Sequence, residues 1–73
     1  MQTVGHIIAV QELRFRLLTE QGQVYLLTLA PNAPLDGAAL RRLQRQAARV
    51  TVDFQGEPNM RGGVARDVRE AVA

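Results

Sequence analysis

The side chains in this sequence best suited to chemistry are its arginines. Arg41, Arg42, Arg45 and Arg49 lie within nine positions that hold no acid. Arg41, Arg45 and Arg49 step by four, so a helix through this stretch would gather them along one face. Guanidinium forks in such a band suit phosphate or carboxylate oxygens. A helix that carries its late arginines only to complement its own dipole would show the same spacing. A second set is Arg14, Arg16 and Tyr25. The two arginines alternate with apolar residues, and Tyr25 falls opposite them if the two stretches pair as a hairpin.

Other chemistry has little to work with. There is no cysteine and no serine, and the hydroxyls are those of Thr3, Thr19, Thr28, Thr51 and Tyr25. His6 is the single histidine, which without cysteine argues against an ordinary zinc site. No nucleophile has a base at a recognisable spacing. Gly62-Gly63 follows no strand in the manner of a phosphate loop and reads as a flexible turn. Asp53 and Glu57 are close in sequence, but Asp53 takes an outward, alternating position, so they do not read as an acid–base pair. The expectation is a non-enzymatic protein with no cofactor and no metal.

At 73 residues the chain has room for one domain, 1–73. Its 47% hydrophobic content is that of a globular protein. No apolar run is long enough to span a membrane, and no signal peptide is visible, which together predict a cytoplasmic protein with no membrane partner. The formal net charge is +2, and all nine basic residues are arginine. The positive excess sits wholly in residues 41–49, since the stretches on either side each hold one more acid than base.

These side chains must be positioned by short elements. Residues 4–10 are β-branched and apolar and read as a buried strand. Residues 13–19 alternate strictly, with Leu13, Phe15 and Leu17 on one face and Arg14 and Arg16 on the other. A turn at 20–23 containing Gly22 leads into a return strand, 24–30, that is apolar on both faces. Pro31 and Pro34 break the sheet. Asp36 is a good N-cap, with Leu35 and Leu40 at hydrophobic-staple spacing, and a helix is predicted at about 37–47. Residues 49–55 alternate again, with Val50, Val52 and Phe54 inward. The last segment reads two ways. A strand at 64–69 would put Val64, Arg66 and Val68 on one side, whereas Val64, Ala65, Val68, Ala71 and Val72 also fit helical spacing. The strand is favoured because it closes the sheet.

The order strand, strand, strand, helix, strand, strand resembles the OB-fold, the five-stranded Greek-key barrel. An SH3-like barrel and an α+β fold with a C-terminal helix are the alternatives. An all-β barrel of this kind predicts a core of Val4, Ile8, Val10, Phe15, Leu17, Leu26, Val50, Val52 and Phe54, with Leu40 and Leu43 plugging one end. The resemblance implies a ligand face on the second and third strands, where OB-folds commonly bind oligonucleotides or oligosaccharides. With Leu26 inward, Leu27 and Leu29 would face outward and, with Leu18, form an apolar patch for a protein partner or a second copy of the chain. The expected function is therefore a binding module working through Leu18, Leu27 and Leu29. The alternative is nucleic-acid or polyanion binding through Arg41, Arg42, Arg45 and Arg49 together with Arg14, Arg16 and Tyr25.

Overall fold

The computed structural model describes residues 1–58 and 63–71. Gly62 and Val72, which entered the readings above, lie outside them. The elements are β1 (Gln2–Gln11), β2 (Arg14–Thr19), β3 (Val24–Leu29), α1 (Gly37–Arg45), β4 (Arg49–Gln55) and β5 (Val64–Glu70). The strands close into a barrel in the order β1-β2-β3-β5-β4. This is the OB-like arrangement, and its last element is a strand rather than a second helix. Every pairing is antiparallel except β3 with β5, which run parallel over Thr28–Val64 and Leu29–Ala65. Closure removes most of the free edge that a five-stranded sheet of this length would otherwise expose.

β1 is the strand that makes closure possible. Its first half pairs with β4 and its second half with β2, and Gly5 and His6 have partners on both sides. At Gly5 the chains approach so closely that a Cβ would lie 2.1 Å from the carbonyl oxygen of Leu18. Only glycine fits there. A bulge follows between Ile7 and Ala9. It resets the alternation, so Ile7 is buried, Ile8 is 44% exposed, and Val10 packs against the core. Ile8 and Val4 therefore do not join the core as the sequence predicted. A strict period of two cannot be carried through an inserted residue.

The same effect governs β5. Its pairing with β4 shifts between Asp53 and Phe54, which leaves Arg66 as the extra residue. Ala65 and Val68 are both buried, three positions apart. The bulge has converted a spacing of two into a spacing of three, and that is why the segment also fits a helical pattern. The predicted grouping of Val64, Arg66 and Val68 on one side does not occur, because Arg66 is exposed and turned to Gln55.

β3 has the opposite phase from the expected one. Leu27 and Leu29 are each 1% exposed, whereas Leu26 is 39% exposed. The register explains the reversal. Phe15 and Leu17 point inward, and they stand directly opposite Leu27 and Tyr25. Residues directly opposite in an antiparallel pair share a face. The segment VYLLTL is apolar at both phases, so its neighbour decides the matter.

α1 begins as predicted. Asp36 caps it by accepting from the backbone N–H of Ala39 at 2.9 Å, and Leu35 and Leu43 pack against the core beside fully buried Leu40. The helix ends two residues before the predicted limit. Gln46 is the C-cap and Ala47 adopts a left-handed φ of 51°. The N–H of Ala47 donates to the Gln44 carbonyl, and that of Ala48 to the Leu43 carbonyl. This pair of bonds is the Schellman ending, with alanine where glycine is usual.

Candidate binding face

The site is built on the outer side of β1, β2 and β3. β2 alternates without interruption, so Phe15, Leu17 and Thr19 are buried while Arg14, Arg16 and Leu18 are exposed. Cross-strand register then fixes their neighbours. Leu18 stands between His6 on β1 and Val24 on β3. Arg16 stands between Ala9, beside the bulged Ile8, and Leu26. Arg14 stands between Gln11 and Thr28. Ile8, Leu18, Val24 and Leu26 are 44%, 39%, 43% and 39% exposed. Four aliphatic side chains thus share one surface with two arginines. A shallow groove of about 450 Å³ runs over it, lined by Ala9, Val10, Gln11, Arg14, Arg16 and Leu26 among others.

The apolar face expected from the sequence therefore exists, with different members. Leu18 belongs to it. Leu27 and Leu29 do not, since both are core residues, and Val24 and Leu26 take their place. The inward pull of Phe15 and Leu17 through the β2–β3 register could have been read from the strict alternation of β2.

Tyr25 is also displaced from the proposed ligand set. It packs against the core, its ring meets Phe54 edge-on with centroids 5.8 Å apart, and its hydroxyl donates to Gln23 Oε1 at 3.1 Å. Phe15 and Phe54 are buried. These three are the only aromatics in the sequence. The outer face thus offers no Phe, Tyr or Trp ring on which a base could stack, and its one ring is the imidazole of His6.

The arginine band is divided. Arg41, Arg42 and Arg45 are exposed on α1, and none of the three has an ion pair among the described residues. Arg42 lines a shallow depression with Pro31, Pro34, Leu35 and Ala39. Arg41 turns to the β1–β2 hairpin, where one of its guanidinium nitrogens and the Glu12 carbonyl both border Gly37. Arg49 is not part of the helical band at all, because the Schellman ending turns the chain and places it in β4. There its Nε donates to Glu20 Oε1. That hydrogen bond holds the Glu20 carboxyl below the usual glutamate range, and the nearby Arg49 and His6 charges act in the same direction.

A further group of charged residues sits on the outer side of β4 and β5. Arg69 pairs with Asp67 at 3.0 Å, Arg66 donates to Gln55 at 2.9 Å, and the terminal amine lies 3.8 Å from Asp53. Among the described residues, no three His, Cys, Asp or Glu side chains converge on a point where a metal ion would fit. No helix among them is long and apolar enough to cross a membrane. Compared with family models, with curated proteins and with solved structures, the chain matches none.

Proposed function

We propose that this protein is a non-enzymatic binding module that recognises another protein through the outer face of β1, β2 and β3. The observation that carries this reading is the cluster of Ile8, Leu18, Val24 and Leu26, exposed on adjacent strands of one rigid barrel. Single exposed aliphatics are ordinary, but a contiguous group on a flat sheet face has a desolvation energy to gain from a partner. The barrel needs none of the four for its own core, which is filled by Ile7, Phe15, Leu17, Leu27, Leu29 and their neighbours. Polyanion binding through Arg41, Arg42 and Arg45 has less support. The band is shorter than its sequence spacing suggests, and no aromatic accompanies it.

The test is retention of host proteins on immobilised wild type and on a Leu18→Glu, Leu26→Glu variant, with Thr51→Glu on the far face as control. The expected result is a protein held by the wild type and by the Thr51 variant, and lost from the double variant. Equal retention by all three, or by none, overturns the reading.

A further inference from the structure

We propose that the partner segment is acidic and aliphatic: an extended stretch with carboxylates at alternate positions, followed in the same frame by an aliphatic residue. This rests on the protein-binding reading of the β1–β3 face and names the chemistry that the face selects.

Charge on the face is uncompensated. Arg14 and Arg16 project from β2 with no ion pair among the described residues, and Arg41 adds a third guanidinium at the hairpin end. The described acids are placed elsewhere or already engaged. Glu20 is held by Arg49, Asp36 caps α1, and Asp53, Asp67 and Glu70 belong to β4 and β5. Glu12 in the hairpin turn and Glu57 just after β4 stand at the margins of the face, neither of them in an ion pair among the described residues. A partner must therefore bring its own carboxylates to match the face.

The pattern of the face sets the pattern of the partner. Arg14, Arg16 and Leu18 are alternate residues of one strand, so successive members lie about 6.6–6.8 Å apart. An extended segment lying along β2 repeats at the same distance. Two acids at alternate positions would meet Arg14 and Arg16, where bidentate carboxylate contacts are available. The next residue of that frame would rest on Leu18, Val24 and Leu26.

Two other occupants fit less well. A second copy docked symmetrically on the same face would bring two further arginines and no acid of its own from β2 to the interface, so the arginines would stay unneutralised there. A nucleic-acid strand would supply phosphates for the arginines, but its bases would meet four aliphatic side chains and a single imidazole, that of His6, with no Phe, Tyr or Trp ring.

The experiment is an amide-resolved NMR titration with three short soluble peptides. The first carries two glutamates at alternate positions with a leucine in frame after them. The second replaces the glutamates by glutamine. The third has the same composition as the first with the leucine moved between the glutamates. We expect the first peptide to perturb β1, β2 and β3 and to bind at least about tenfold more tightly than the other two. The advantage over the glutamine peptide should vanish in an Arg14→Gln, Arg16→Gln variant and shrink with added salt. Both arginines are exposed, and retained spectral dispersion in the variant confirms its fold. Leu26→Ser should weaken the first peptide without removing its preference over the second. Equal binding of the peptides, or no binding by any, overturns the acidic pattern while leaving the protein-binding reading to its own retention test. Concentration-dependent shifts on this face in the peptide-free protein would favour a second copy, and tighter binding of oligothymidylate there would favour nucleic acid. Either outcome overturns the inference.

Discussion

The two sides of the barrel wall solve the same problem differently. On the β4–β5 side the outward residues other than Val64 are polar, and several of the ionic groups answer one another. Asp53 and Asp67 face each other across the strands, a placement that would repel, yet Asp67 has Arg69 and Asp53 has the terminal amine. On the β1–β3 side aliphatic residues stand in solvent, and Arg14 and Arg16 have no ion pair among the described residues. A surface that is only a wall can settle its charges locally. A surface left apolar and unneutralised gives up that local stability, and contact with a partner, as proposed above, would restore it.

The contrast can be broken most severely at β3, where one residue separates wall from core. Leu27→Ala should cost about 2–5 kcal/mol of stability, whereas Leu26→Ala should cost less than about 1 kcal/mol. Urea denaturation of the two variants measures the difference, and a reversal of the order would put the opposite phase of β3 inside. Next in size is Gly5→Ala. Gly5 is the point at which β1 belongs to both sides, paired with Thr19 and with Val50. An added methyl must push the Leu18 carbonyl away, and a loss of about 1–3 kcal/mol is expected.

A smaller effect sharpens the division of the arginines. Ala47 is exposed and carries a left-handed backbone that glycine adopts without strain. Ala47→Gly should raise stability by about 0.5–1 kcal/mol, visible as a higher Tm. A lower Tm would mean that α1 does not stop there and that Arg49 is not turned away from Arg41 and Arg45.

The smallest effect lies at the border between the two sides, at Glu20 and Arg49. Both side chains are well exposed, so the pair contributes little to stability. Its sign is nevertheless fixed. The folded-state carboxyl titrates lower than in the unfolded chain, so the contribution is present above the unfolded value and is lost as pH falls through the folded one. An NMR titration of Glu20 should show the depressed value, and Arg49→Gln should return it towards the ordinary glutamate range.

Where the sequence was legible, a single pattern ran uninterrupted through an element. β2 alternates from Arg14 to Thr19, β4 alternates from Val50 to Phe54, and Asp36 with Leu35 and Leu40 marks the start of α1. Those features led from residue order to the barrel. The misplaced residues share a different cause. Ile8 and Arg66 are bulge residues, and an inserted residue sets the two sides of a strand in opposite phase, so the phase that holds for Val10 fails for Val4. Leu26 and Leu27 sit in a strand that is apolar at both phases, so only the β2 register could choose between them. Arg49 left the helical band because an alanine, not a glycine, takes the left-handed position that ends α1. Tyr25 followed β3 inward. The apolar face survived these changes because a doubly apolar strand leaves one apolar face outside whichever way it turns.

The central claim is that recognition happens on the outer side of β1, β2 and β3. Photo-crosslinking tests it most directly, with a photoreactive side chain placed at position 26 in one version of the protein and at position 51 in another, each produced in its native host. A discrete adduct with a partner protein is expected from position 26 and none from position 51. Adducts from both positions alike, or from position 51 alone, would contradict it.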